Sequence, residues 1–215
     1  MRFPRILRAS LLAAALAALV AVVLGGCAST SGLTNMWRDP GYTGPPLHHI
    51  LVVGMIRNPA NRRILEDAFV HQLSKNGVEA VASYERFPND PPDTSQIYDA
   101  VDQGGYDGVL LTRRLPSQTS TSYVPGYVTT QPVTRLGWRG YYRTTWVDVM
   151  HPGYVEQDVT ARREVELWSV GDGGRMIWTG IGETVNPGSP TDVTHDVTHN
   201  VVPELARQGF IPRRG

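Results

Sequence analysis

Two histidines four residues apart are the first side chains in this sequence that could do chemistry. His195 and His199 both lie in the segment Asp192–His199, and on a helix their rings would share one face, as zinc-binding histidines often do. A third ligand would have to come from elsewhere, either from Asp196 or from the distant His151, and no HExxH motif is present. The spacing leaves two interpretations open, a metal site and the polar flank of a helix, and the second is favoured.

Other catalytic arrangements have little support. The sequence contains no GxSxG, P-loop or GxGxxG motif, and glycine-rich residues 171–174 lie between two predicted strands, where a turn is expected rather than a phosphate loop. The acidic residues of 156–166 alternate along an exposed strand face, whereas glycosidases need two carboxyl groups in a cleft. His48 and His49 are expected in a solvated loop. We therefore predict no catalytic residues, no metal and no cofactor, and hence a protein that is not an enzyme.

The chain has a single cysteine, Cys27, at the end of a stretch typical of a targeting segment. Three arginines within the first eight residues precede an apolar run at 11–24, which is shorter than the roughly 20 residues that a membrane-spanning helix needs. One cysteine also excludes an intrachain disulfide, a CxxC pair and a cysteine-rich zinc site. Residues 1–26 are predicted to be a signal peptide.

The segment Leu24-Gly25-Gly26-Cys27 resembles the lipobox of bacterial lipoproteins. The resemblance implies that signal peptidase II recognises Leu24, Gly25 and Gly26 and cuts before Cys27, which carries diacylglycerol and a further fatty acid such as palmitate. Two acyl chains suffice for stable anchoring, so the first expected partner is a membrane. Ala28 after the cysteine implies the periplasmic face of the outer membrane, with the inner membrane as the alternative. The mature chain would have 189 residues and a net charge of −3.

The rest of the chain is predicted to form a lipidated cysteine with a flexible tether at 27–36 and one periplasmic domain at 37–215. Apolar runs predict strands at 49–56, 78–83 and 106–111, with helices between them. This β-α-β-α-β order favours parallel pairing. The first of these helices is predicted to be capped by Asn58 or Asn61 and to end at Gly77. Two i,i+4 ion pairs are expected on its outer face, Arg62 with Glu66 and Arg63 with Asp67.

The second half of the chain changes to a period of two residues, which indicates long antiparallel strands. A strand at 155–169 turns through 171–174 into a second strand at 175–180, and Ser189-Pro190 caps a last helix that should kink or break at Pro203. The predicted fold class is α+β, with a mixed sheet, helices packed on it and a C-terminal helix.

This second half also carries a resemblance. The segments 163–168 and 173–180, followed by a terminal helix, are similar to the C-terminal half of envelope lipoproteins that carry a domain of unknown function. The order of elements over 47–209 also resembles the periplasmic domains of the curli secretion lipoprotein, of lipoprotein activators of penicillin-binding proteins, and of the TolB N-terminal region. No transmembrane hairpin like that of the secretion lipoprotein is evident, which argues against a channel.

Aromatic and basic residues concentrate in an arm predicted at about 114–154. Residues 123–154 hold seven of the 17 aromatic residues that follow the signal peptide, and residues 108–147 contain five arginines and no acid. Tyrosine, tryptophan and arginine are enriched at binding hot spots. The alternative is that these rings pack on the domain's own sheet. The predicted partner-binding residues of this arm are Arg135, Trp138, Arg139, Tyr141, Tyr142, Arg143 and Trp146.

The function predicted from these features is a non-enzymatic, lipid-anchored interaction or assembly module near the outer membrane. Its expected partners are the membrane, through acylated Cys27, and an envelope protein. The alternatives are a peptidoglycan- or glycan-binding lipoprotein that stacks sugars on the same aromatics, and a metal-dependent hydrolase. Because 20 basic residues balance 20 acidic ones, no nucleic-acid partner is expected.

Overall fold

A computed structural model describes residues 31–136, 142–171 and 173–213. The predicted signal peptide and lipidation residues Leu24, Gly25, Gly26 and Cys27 lie outside the described residues. The described part contains eight strands and three α-helices, in the order β1 (Ser31–Arg38), β2 (His49–Met55), α1 (Pro59–Ser74), β3 (Glu79–Ala82), α2 (Thr94–Gly104), β4 (Gly108–Val124), β5 (Tyr127–Leu136), β6 (Tyr142–His151), β7 (Tyr154–Ser169), β8 (Arg175–Val185) and α3 (Pro190–Gln208).

The predicted α+β class with a mixed sheet is confirmed. Six strands form one sheet in the order β1-β8-β7-β4-β2-β3, while β5 and β6 pair separately. Strand β2 is parallel to both β3 and β4, as the β-α-β-α-β order predicts, and the remaining pairs of the sheet are antiparallel. The β-α-β-α-β order of the first half and the two-residue period of the second half therefore predicted both the parallel and the antiparallel pairing.

Helices cover the two faces of this sheet unequally. Strand β2 is buried on both faces, because Ile50 and Val52 belong to one apolar cluster and Leu51 and Val53 to another. The larger cluster holds the buried sides of α1 and α3 together with Trp178, which is fully buried. The smaller cluster lies under α2. The α1/α3 face thus provides most of the core.

The expectation that Arg62 and Glu66 form a solvated pair on the outer face of α1 is wrong. Their side chains are 1% and 0% exposed, and Arg62 Nε lies 2.9 Å from Glu66 Oε1. Glu66 also accepts hydrogen bonds from the backbone N–H groups of Gly54 and Tyr84, at 2.8 and 2.9 Å, and from the Ser83 hydroxyl at 2.8 Å. The pair is buried because the end of β2 and the turn after β3 fold over this face of the helix.

Arg63 and Asp67, the other predicted i,i+4 pair, do lie at the surface, but the contacts recorded there are with Tyr84. The Asp67 carboxylate accepts a hydrogen bond from the Tyr84 hydroxyl at 2.6 Å, and the Arg63 guanidinium lies over the Tyr84 ring. The hydrogen bond to Asp67, followed by burial, raises the pKa of Tyr84 to about 12. Tyr84 thus links the turn after β3 to the exposed side of α1.

Residues 31–36, predicted to belong to the flexible tether, instead form most of β1. This strand pairs antiparallel with β8 from Ser31↔Thr184 to Arg38↔Trp178, with a bulge between Thr34 and Trp37. The edge of β8 presents unpaired backbone N–H and C=O groups, and these can hydrogen-bond to small polar residues as readily as to apolar ones. Any flexible tether is therefore shorter than the composition suggested.

The last helix begins as the sequence predicted and continues without a break. Ser189 accepts a hydrogen bond from the Asp192 N–H at 3.2 Å and Pro190 occupies the first turn. The predicted break at Pro203 is absent, since α3 runs through it to Gln208. Within residues 31–136, 142–171 and 173–213, no helix is long and apolar enough to cross a membrane.

Candidate interaction surface

The predicted arm is one long antiparallel ribbon. Strand β4 pairs with β7 as far as Val124↔Tyr154, and β5 pairs with β6 from Tyr127↔His151 onward. The register is the same on both sides of the interruption, from Gln118↔Thr160 to Leu136↔Tyr142. The chain through β4 and β5 and the chain through β6 and β7 thus form the two sides of one ribbon, which is roughly 60 Å long at about 3.3 Å per residue. We call residues 118–136 and 142–160 the ribbon.

A pair of Pro-Gly dipeptides interrupts the ribbon at matching positions. Pro125-Gly126 on one strand faces Pro152-Gly153 on the other, and proline cannot donate a ladder hydrogen bond. The backbones approach closely here, because a Cβ added to Gly126 would lie 2.6 Å from the His151 carbonyl oxygen and 2.7 Å from the Gly153 nitrogen. Only glycine fits this crossing, so the interruption is built into the sequence.

The half of the ribbon beyond this interruption carries exposed apolar pairs on one face. Directly opposite residues share a face, and successive residues alternate faces. The apolar pairs recur every fourth residue, about 13 Å apart, and Thr130 with Asp148 and Thr134 with Thr144 hydrogen-bond between them at 2.7 and 3.2 Å. We call this apolar face the ladder face; its apolar pairs are Val128↔Met150, Pro132↔Trp146 and Leu136↔Tyr142.

The ladder side chains are among the most exposed apolar groups in the described residues. Tyr142 is 79% exposed, Met150 78% and Trp146 69%. Nine of the sixteen exposed large apolar side chains that the structure describes lie within 114–154. The alternative that the aromatics pack on the domain's own sheet is therefore wrong for Tyr142 and Trp146. Exposed apolar pairs that recur on one face favour an interaction site there.

The opposite face of the same half is more polar and more self-contained. Tyr127 stacks on His151 with ring centroids 4.6 Å apart, and His151 Nε2 lies 3.0 Å from the Thr129 hydroxyl. Arg135 and Arg143 are directly opposite each other on this face. The predicted partner-binding residues therefore divide, with Tyr142 and Trp146 on the ladder face and the two arginines behind it.

The arginines near the start of the predicted arm have different surroundings. Arg113, at the base of β4, lies 2.6 Å from Glu164 and 3.5 Å from Glu166, and the hydrogen bond to Glu164 raises the pKa of its guanidinium. Arg114 is opposite Arg163 on β7. Trp138, Arg139 and Tyr141 lie outside the described residues. The single register of the ribbon was not predicted from the sequence, although the matching Pro-Gly dipeptides were a signal for it.

The histidine pair on α3 forms a stacked arrangement. The rings of His195 and His199 have centroids 3.8 Å apart, and His199 Nε2 lies 2.6 Å from the Gln72 side-chain nitrogen. Asp196 Oδ1 is 3.6 Å from His195 Nδ1, whereas His151 belongs to the ribbon. Over the described ranges, no group of three or more His, Cys, Asp or Glu side chains could hold a metal ion.

The sequence predicted that His48 and His49 both lie in a loop, but only His48 does. His49 begins β2, with its ring 4.4 Å from that of Tyr106, and both backbone N–H groups donate to the Asp107 carboxylate at 2.7 and 2.9 Å. Only His48 is exposed. These histidines anchor the start of a strand, because a carboxylate that accepts two backbone N–H groups fixes the chain direction there.

Comparison with known proteins gives distant structural likenesses. No family model and no curated protein matches the sequence. Two crystal forms of the PelC dodecamer from Paraburkholderia phytofirmans, one of them of a single-residue variant, are each 11% identical to this chain. The match to the variant covers 87% of this chain and 100% of the PelC chain, with a TM-score of 0.43. The match to the other form covers 84% of this chain and 98% of the PelC chain, with a TM-score of 0.42. A PDZ domain protein from Parabacteroides distasonis is 10% identical, with 91% of this chain matching 40% of that one at a TM-score of 0.36. These likenesses carry no argument about assembly or activity.

Proposed function

We propose that this protein is a non-enzymatic, lipid-anchored module of the bacterial cell envelope that binds a partner protein through the ladder face of its ribbon. The single observation that carries the proposal is the exposure of three apolar cross-strand pairs on a ribbon that projects from the sheet. An isolated two-stranded ribbon is marginally stable in water. A partner that covers the ladder face would supply the second layer that stabilises such a ribbon.

The anchoring part of the proposal is supported by the sequence of the first 27 residues. The lipobox-like segment Leu24-Gly25-Gly26-Cys27 favours acylation of Cys27, at the periplasmic face of the outer membrane. Since β1 begins at Ser31, three residues separate it from Cys27, and the extended chain from Cys27 to Ser31 spans at most about 14 Å. The partner is thus expected to come to this protein at the membrane. Metabolic labelling with palmitate tests the anchor, and label that persists in Cys27→Ser would refute it.

Site-specific crosslinking in intact cells tests the contact surface. A photoreactive amino acid at Trp146 on the ladder face should capture one discrete envelope protein. The same group at Gln131, on the opposite face of the same strand pair, should capture much less of it. Equal capture from both faces would contradict a one-sided contact surface, and capture at neither position would remove the proposal.

Paired substitutions separate binding from folding. The variant Trp146→Gln with Tyr142→Gln should lose co-purification with the captured partner while its unfolding temperature stays close to that of the wild type, because both side chains are exposed. Trp37→Gln with Tyr98→Gln is the matched control, since it removes exposed rings of the same types, 44% and 56% exposed, outside the ribbon. Loss of the partner in the control variant, or unfolding of the ladder variant, would refute the assignment.

A glycan-binding lipoprotein is the second candidate, and one observation favours it. Trp146 and Tyr142 share the ladder face with the Thr134 and Thr144 hydroxyl groups, and aromatic rings beside hydroxyl groups suit a sugar chain. Sedimentation with purified peptidoglycan sacculi distinguishes the candidates. Cosedimentation that the ladder variant abolishes would favour the glycan, and its absence would leave the protein partner as the better proposal. The metal-dependent hydrolase remains without a third ligand in the described ranges.

A further inference from the structure

A cavity of about 590 Å³ opens at the carboxyl end of β2, away from the ladder face. Its walls come from the first turns of α1 and α3 and from the neighbouring strands β4 and β7. This volume falls within the roughly 300–1,000 Å³ usual for small-molecule sites. Four of the residues that line it are arginines, namely Arg57, Arg114, Arg162 and Arg163, and no acidic residue is among the described residues that line it.

Arg163 is the central group of this cavity. Its Nε and Nη1 atoms are buried and have no hydrogen-bond partner within the described residues. Buried guanidinium nitrogens are normally paired, because an unpaired buried charge destabilises the folded state. Burial, together with the nearby Arg114, lowers the pKa of Arg163 to about 10, so the group still carries its charge at neutral pH. Arg163 therefore places an unpaired positive charge in the wall of the cavity.

The register of the sheet adds a second cation. Arg114 on β4 is directly opposite Arg163 on β7, and like charges at opposed positions destabilise a strand pair. Of the other two arginines, Arg162 is paired with Glu183 at 3.1 Å, and Arg57 is exposed at the rim. An anion between Arg114 and Arg163 would convert this repulsion into attraction.

Two helix N-termini face the same space. Asn58 caps α1 and Ser189 caps α3, and both residues line the cavity. The positive ends of helix dipoles favour negative groups within the first turn. Asp192, in the first turn of α3, does not line the cavity. The arginine pair and the two helix ends thus surround one space with positive potential.

We propose that this cavity is a binding site for a phosphoryl group, held between the guanidinium groups of Arg114 and Arg163 at the first turns of α1 and α3. A phosphoryl group suits the site better than a carboxylate, because its oxygens point in several directions and can reach both arginines and the helix ends together. The cavity also has room for the rest of a small phosphorylated molecule or a phospholipid headgroup. This proposal is independent of the ladder face.

Thermal unfolding of the full chain in detergent solution tests the site. At constant ionic strength, replacing chloride with inorganic phosphate should raise the unfolding temperature, and acetate should not, because a ligand that binds the folded state stabilises it. Arg163→Met should weaken the apparent affinity for phosphate on the order of tenfold or more. It should also unfold at a higher temperature than the wild type in chloride, since it removes an unpaired buried charge.

Two further variants keep the test decisive. Arg114→Gln changes an exposed side chain that folding should tolerate, and it should also weaken the phosphate response. Arg113→Gln is the matched control, because Arg113 is adjacent on β4, pairs with Glu164 and does not line the cavity. The proposal is overturned if acetate raises the unfolding temperature as much as phosphate does, or if phosphate does not raise that of the wild type. It is also overturned if Arg113→Gln weakens the response to phosphate as much as Arg114→Gln does.

The source of the phosphoryl group is decided by comparing two probes. A short-chain phosphatidic acid, added to the same detergent solution, and inorganic phosphate should both raise the unfolding temperature through Arg163. Tighter binding of the lipid identifies a phospholipid headgroup, and equal binding identifies a soluble phosphorylated molecule. A lipid effect that persists in Arg163→Met would contradict the assignment of this cavity.

Discussion

Removing Glu66 should destabilise the fold far more than removing its partner Arg62. Glu66 accepts hydrogen bonds from four groups, namely the Arg62 guanidinium, the Ser83 hydroxyl and two backbone N–H groups. In Glu66→Leu all four donors lose their acceptor, and Arg62, 1% exposed, is left as an uncompensated buried charge. Breaking a buried ion pair in this way typically costs about 3–5 kcal/mol. The expected loss is near the upper end of that range.

Replacing Arg62 and keeping Glu66 should destabilise the fold less. In Arg62→Met the Glu66 carboxylate keeps its hydrogen bonds from Gly54, Ser83 and Tyr84, so its charge remains solvated by the protein. The losses are the ion pair with Glu66 at 2.9 Å and the hydrogen bonds that Arg62 donates to Ser83 and to the Phe87 carbonyl oxygen, at 3.0 and 2.8 Å. We expect a cost of about 1–3 kcal/mol. The double variant should cost less than the sum of the two single ones, because it leaves no buried charge.

Urea unfolding followed by tryptophan fluorescence measures these differences, since Trp178 is fully buried in the core. Arg113→Met is the control, because its side chain is 54% exposed and its ion pair is screened by water, so a change below about 1 kcal/mol is expected. The reasoning fails if Glu66→Leu is no worse than Arg62→Met, or if the two single losses simply add in the double variant.

Three further predictions concern a buried hydroxyl, a tyrosine and the ribbon interruption. Thr112→Val should raise stability by about 1 kcal/mol in the same urea experiment, because the fully buried Thr112 hydroxyl has no hydrogen-bond partner among the described residues. The pKa of Tyr84 is about 12 in the folded state, above its unfolded value of 10.0. The stability that this difference contributes is therefore present below pH 10 and lost between about pH 10 and 12. In Tyr84→Phe, the unfolding free energy should fall less steeply over that pH range. Gly126→Ala should disturb the backbone crossing and speed tryptic cleavage at Arg135, leaving the unfolding temperature of the core unchanged; slow cleavage, as in the wild type, would contradict this.

Features set by neighbouring residues were predictable from the sequence. The caps at Asn58 and Ser189 depend on a side chain and an N–H group three residues away, so their residue types indicate the helix starts directly. The strand at His49–Met55 was predictable because its apolar run leaves no polar face. These signals need no knowledge of what lies across the fold.

Features set by distant neighbours were not predictable. The i,i+4 spacing of Arg62 and Glu66 is the same for an exposed pair and a buried one, and only the turn after β3 decides which it is. The placement of Arg114 against Arg163 depends on the register between β4 and β7, which includes a shift between Leu115 and Gln118. The apolar ladder was hidden for the same reason, because its members become pairs only when both strands are aligned.

The shared register of the two halves of the ribbon restricts how its length can change during evolution. Inserting one residue into β5 alone would move every later side chain of that strand to the other face and separate Trp146 from Pro132. A change of two residues in both strands would keep the faces and alter the reach by about 7 Å. Among relatives of this protein, arms of different lengths are therefore expected to differ by balanced, even-numbered steps on the two sides of the tip.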